Sequence, residues 1–249
     1  MTTFAKTFIE VYAPTLEAMG FKRKRSIFHR LVNDQIVQVL SYKLYSGAEF
    51  DIQFSFWPLC NGYDMNVFMD SSYLLHSFAK EMGDRYWFCT DEAVWGENLC
   101  ESLDYCKKYI FRYFDEITDY RSYYETIYKM EEELGAFRIK SEIPNLYLMP
   151  FHDIFLATQQ YDLALKAQEA SLMQSKRAMK AYSNDKDWDI SKHLHYSEYV
   201  ESVQYFEKLK ALAENHDYEA IEQIVKEKEE YSRKSYEKNF LGYKEKDLV

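Results

Sequence analysis

The sequence predicts an α+β fold, with an antiparallel sheet of about four strands packed by helices, followed by an all-helical C-terminal unit. Three observations carry this. Phe50, Ile52, Phe54 and Phe56 alternate with Asp51, Gln53 and Ser55, which is the period of a strand. Leu99, Leu103, Cys106, Ile110, Tyr113 and Ile117 recur at steps of three and four, which is the period of a helix. Beyond Pro150 the alternation by two is lost and helical spacing takes over.

Taken in order, residues 3–19 predict a helix whose apolar face carries Phe4, Phe8, Val11, Tyr12, Leu16 and Met19. Pro14 lacks the N–H that residue 10 would accept, so a kink or restart is expected there. Gly20 stands where a helix closes in the left-handed region. Strands follow over 25–32 and 36–45, joined by the turn chemistry of Asn33-Asp34. The third strand, around 50–56, ends at Pro58, and its alternation predicts one buried and one wet face. Such short connections make the sheet antiparallel. A short helix over 71–82 and a fourth strand at Tyr86-Trp87-Phe88 come next. One long helix is expected from about Glu92 to Ile117, and another over 119–134 ending at Gly135.

Pro144 and Pro150 mark residues 136–150 as a connector between a first domain, 1–135, and a helical-hairpin domain, 151–249. Helices are placed near 151–159, 162–182, 193–214 and 217–239, with the polar stretch 183–187 between the two pairs. Tyr161-Asp162-Leu163-Ala164 and Asp217-Tyr218-Glu219-Ala220 are similar helix starts. They resemble the second helix of a tetratricopeptide hairpin. Their alanines are 56 residues apart rather than the ~34 of that repeat, so hairpins are expected but not a repeat array.

The N-terminal part also carries a family resemblance. The helix with Pro14 and Leu16 leads into Gly20-Phe21-Lys22, then Phe28 and Arg30 on a strand, then Gln38-Val39-Leu40 on the next. Trp87 then precedes a helix that ends Tyr113-Phe114-Asp115. Over about residues 4–130 this resembles the bacterial family called domain of unknown function 4304. The resemblance implies an α+β domain with an antiparallel sheet, and it implies no reaction. Where that family often has an Asn and a Gln on the second strand, this chain has Ser41 and Lys43.

Charge narrows the partners. The net charge is −10, distributed as +3 over residues 1–50, −10 over 51–135 and −3 over 136–249. An acidic body repels a phosphate backbone, so nucleic acid is disfavoured as a partner outside the basic run Lys22-Arg23-Lys24-Arg25. No apolar run reaches the ~18 residues of a membrane span. Residues 1–6 lack the pattern of a secretion signal, so a cytoplasmic location is expected. The four cysteines have no CxxC spacing and predict reduced, buried thiols.

The sequence carries no recognisable catalytic motif. Seven glycines leave no phosphate-binding loop, and the chain has no GxSxG elbow and no HExxH. On a helix the two rings of His193-Leu194-His195 point about 200° apart, so no metal site is expected there, and no cofactor is implied elsewhere. His152-Asp153 is similar to a metal-phosphohydrolase dyad but lacks its companions, and Asp153 reads as a helix cap.

Three sets of candidate binding residues remain. Lys22 and Lys24 belong either to a charge-guarded edge strand or to an anion site. Arg30 and Lys43, basic residues in apolar strands, could share a hairpin face near Trp87. Tyr120, Tyr124 and Tyr128 share a helix face that suits either core packing or a protein interface. The leading expectation is a non-catalytic cytoplasmic protein-interaction module, in its specific form an immunity or inhibitor protein for a basic partner. An enzyme with a site near Arg30, Lys43 and Trp87 is the alternative, and nucleic-acid binding through residues 22–25 is the third reading.

Overall fold

The computed structural model describes residues 3–45, 49–62, 64–65, 73–79, 87–133, 148–181, 191 and 195–242. Among them the chain forms two compact units. One comprises residues 1–127 together with 230–249, and the other residues 128–229. The C-terminal segment thus belongs with the N-terminal unit, whereas helical periodicity alone groups it with the helices before it. The expected connector falls largely outside the described residues, and helix α5, Leu148–Ala157, already begins within its last three positions.

The first unit opens with α1, Phe4–Ala18, which runs unbroken through Pro14. Thr3 caps it by accepting the Lys6 N–H at 3.3 Å. Gly20, at φ +85°, ends it. The Phe21 N–H reaches Leu16 O at 3.0 Å and the Gly20 N–H reaches Glu17 O at 2.9 Å, the paired bonds of a glycine-terminated helix.

Six antiparallel strands follow rather than about four. They are β1 Lys22–Lys24, β2 Ile27–Val32, β3 Ile36–Tyr45, β4 Glu49–Pro58, β5 Tyr73–Leu74 and β6 Trp87–Phe88. The order is β1-β2-β3-β4-β5, with β6 also paired to β4. The extra strands are two or three residues long, too short to show a period. Asn33 and Asp34 both take positive φ, +48° and +57°, as the tight β2–β3 hairpin requires. Leu75–Ser77 is a single 3₁₀ turn, where the sequence suggested a helix over 71–82.

One sheet face carries Phe28, Leu40, Phe50, Ile52, Phe54 and Phe56, all buried, the four of β4 as predicted. It lies under α1 and under α2, Trp95–Tyr109, and α3, Phe111–Glu116. Phe8 meets Phe28 at 5.9 Å and Phe114 meets Phe56 at 5.3 Å. The expected long helix is therefore interrupted at Ile110, where φ −107° departs from helical geometry.

The other face was expected to be wet, but Asp51, Gln53 and Ser55 are buried too. Part of this face is covered by the chain's own C-terminal segment. Tyr236 and Phe240 pack with Val37, Val39, Trp57, Leu59 and Met65. Lys24 Nζ donates to Asn239 O, and Arg233 holds Asp34 at 2.9 Å.

In the second unit α5, Leu148–Ala157, packs on α6, Tyr161–Ala181, which packs on α7, Tyr196–Glu214. Helix α4, Tyr120–Glu133, and helix α8, Tyr218–Tyr236, each cross the boundary between the units. The two helix starts that looked alike in sequence adjoin, with Tyr161 and Tyr218 stacked at 4.5 Å and 8°.

Candidate functional site

Register decides the fate of the Arg30–Lys43–Trp87 grouping. Arg30 pairs with Gln38, and Gln38 and Lys43 are five residues apart on β3. An odd separation along a strand puts side chains on opposite faces. The structure therefore does not bring Arg30 and Lys43 together. Arg30 is instead a structural clamp. It donates to Gln38 Oε1 at 2.7 Å, to Phe114 O at 2.9 Å and to Met19 O, with the guanidinium 4.7 Å from the Phe21 ring. Trp87 is core, stacked on Phe50 at 5.6 Å, and donates to Glu101 Oε2 at 2.9 Å. Lys43 is exposed, 5.3 Å from the Tyr45 ring, and stands opposite Asp51 in the register.

The remaining predicted residues are placed as follows. Lys22 is exposed on edge strand β1, while Lys24 is tied to Asn239 and lies 5.5 Å from the Phe240 ring. On α4 the buried side is Tyr120, Tyr123, Thr126, Ile127 and Met130, whereas Tyr124 and Tyr128 flank it half-buried. His193 lies outside the described residues. His195 is exposed beside Glu198 at 3.1 Å. Cys60, Cys89 and Cys106 are buried thiols, but Cys100 is exposed, contrary to expectation. Among the described residues no three His, Cys, Asp or Glu side chains converge as metal ligands. No described helix is long and apolar enough to cross a membrane.

Two polar constellations escaped the sequence. The first is at the outer edge of β4, which pairs with β6 at Glu49–Phe50 and with β5 at Gln53–Phe54. In the gap between them Asp51 Oδ1 accepts the Ile52 N–H at 2.7 Å, and Asp51 Oδ2 is bonded by His76 Nδ1. Burial pushes the Asp51 carboxyl up from its ordinary range, against the lowering pull of those bonds. Nearby, Tyr12 bonds Ser102 at 2.7 Å, and burial holds both the Tyr12 hydroxyl and the Cys106 thiol protonated. Asp51 and His76 are 25 residues apart with no motif between them.

The second constellation lies in the helical unit. Asp153 is not a cap. It sits inside α5, buried, with Lys228 Nζ at 2.6 Å and His152 Nε2 at 3.1 Å. The Lys228 ammonium lies 4.5 Å from the Tyr205 ring of α7. Burial alone would raise the Asp153 carboxyl, but His152 and Lys228 outweigh it and hold it below the usual carboxylate range.

The helical unit also presents an incompletely covered surface. Helix α7 has 19 residues and buries one side chain, Leu209. Tyr196, Tyr199, Val200, Val203 and Phe206 form a stripe at helical spacing, each half-buried. No family model matches the chain, and neither a curated protein nor a solved structure is significantly similar to it.

Proposed function

We propose that the protein is an interaction module that engages another protein through the apolar stripe of α7. One observation carries this reading: a 19-residue helix with an apolar stripe along its length seals a single side chain, Leu209. Half-covered aromatic and branched residues are the composition of partner-binding surfaces. The net charge of −10 favours a basic partner, as an inhibitor of a cationic toxin would have. We also propose, on the sequence resemblance alone, that residues 4–130 belong with the domain of unknown function 4304 family. The test is affinity capture from the native host with the wild-type chain and Val203→Glu. A partner retained by the first and lost by the second, at equal melting temperature, supports the reading. Equal capture by both removes it.

A further inference from the structure

We propose that the C-terminal segment, residues 230–241, is an acid-released strap, and that protonation of His29 lifts it from the sheet while the rest of the first unit stays folded. The proposal is independent of the α7 reading. Three observations lead to it. The first is that the seat is a small core of its own. Tyr236 and Phe240 pack with Val37, Val39, Trp57, Leu59 and Met65 in a cluster that contains none of the phenylalanines of the other sheet face. The segment thus contributes two aromatic anchors to a separate patch, and such a patch opens locally at less cost than the whole unit.

The second observation is that those same anchors bury the imidazole. His29 is 1% exposed. Its Nδ1 lies 2.9 Å from the Tyr236 hydroxyl, and its ring centroid is 5.6 Å from that of Tyr236 and 4.6 Å from that of Phe240. Lifting the segment therefore returns the ring to water.

The third observation is the charge around the ring. From β1, Lys22 stands opposite His29 in the register, and Lys24 reaches over to Asn239 O. From β3 the opposite residue is Val39, and the segment presents the Tyr236 hydroxyl, which burial keeps protonated. The two charges that act on His29 are both cations. An imidazolium in the closed seat would be a third positive charge taken out of water with no carboxylate to pair it. Protons therefore bind the open form more tightly than the closed one. The closed form is fully favoured above pH 6.5 and loses ground as the pH falls from there towards 4. Release uncovers Val37, Val39 and Trp57, so acid turns a closed sheet face into an apolar surface.

The experiment is hydrogen–deuterium exchange on the full chain at pH 7 and 4.5, with rates corrected for intrinsic amide chemistry. Helices shorter than ~12–15 residues are marginal in water, so a lifted strap exchanges its amides. In the wild type the amides of residues 236–240 should lose roughly 10–100-fold of their protection between the two pH values. At pH 4.5 they should exchange at least ~10-fold faster than those of α1, which a local opening leaves in place. His29→Gln should abolish most of that pH dependence. Lys22→Glu, at an exposed edge position, puts a carboxylate opposite the ring and should move release to lower pH. Strap amides that exchange in step with α1 at pH 4.5 overturn the proposal, and so does a loss of protection in His29→Gln equal to that of the wild type. If His29→Gln does not fold, Lys22→Glu decides, and release at an unchanged pH overturns the proposal.

Discussion

His29 Nδ1 on β2 lies 2.9 Å from the hydroxyl of Tyr236, inside the contact that seats the C-terminal segment on the sheet. Burial, with Lys22 and Lys24 adding to it, lowers His29 from an ordinary 6.5 to about 4, and burial pushes Tyr236 up to about 12. The folded protein therefore holds His29 neutral where the unfolded chain would protonate it. This contribution to stability is full above pH 6.5 and is lost as the pH falls from 6.5 towards 4. Its full depth is on the order of 3 kcal/mol. Urea unfolding at pH 7 and 4.5 should show a smaller pH loss for His29→Gln than for the wild type. Equal losses would sink this assignment.

Phe54 is 1% exposed and meets Tyr73, Phe78 and Phe114 within 6.1 Å. Phe54→Ala should cost about 3–5 kcal/mol, as large core truncations do. Thermal unfolding measures it, and an unchanged melting temperature contradicts the packing described.

Arg30→Met should destabilise by about 1–3 kcal/mol, because it removes donors from Met19 O, Phe114 O and Gln38 Oε1. Arg30→Lys should recover little, since one ammonium cannot span three acceptors. A shift in urea midpoint for both variants, with partner capture intact, separates a clamp from a binding residue.

Lys228→Met leaves Asp153 charged and buried, and should cost about 3–5 kcal/mol. Adding Asp153→Leu should recover much of that loss, because the buried carboxylate, left with His152 alone at 3.1 Å, is gone. A double variant less stable than Lys228→Met would show that the pair is net stabilising.

The elements with a strong period were legible in the sequence. The phenylalanine alternation of β4 named the buried face correctly, and α1, α4 and α6 lie close to their expected bounds. Alternation distinguishes two faces but does not say that the polar one stays wet, so Asp51, Gln53 and Ser55 were misjudged. The break at Ile110 carries neither proline nor glycine and leaves the heptad-like spacing intact. The Arg30–Lys43 grouping failed on strand parity, which the sequence does fix once the hairpin turn is placed at Asn33-Asp34. Asp51–His76 and Asp153–Lys228 join residues 25 and 75 positions apart, where no local spacing rule operates.

The C-terminal contact also sets a timetable for synthesis. His29 leaves the ribosome 207 residues before the tyrosine it bonds. At ordinary elongation rates of about 5–20 residues per second that is an interval of roughly 10–40 s. Throughout it Val37, Val39 and Trp57 lack Tyr236 and Phe240. A nascent chain halted near residue 229 would therefore carry a finished hairpin with an uncovered apolar face, the kind of surface that holdase chaperones recognise.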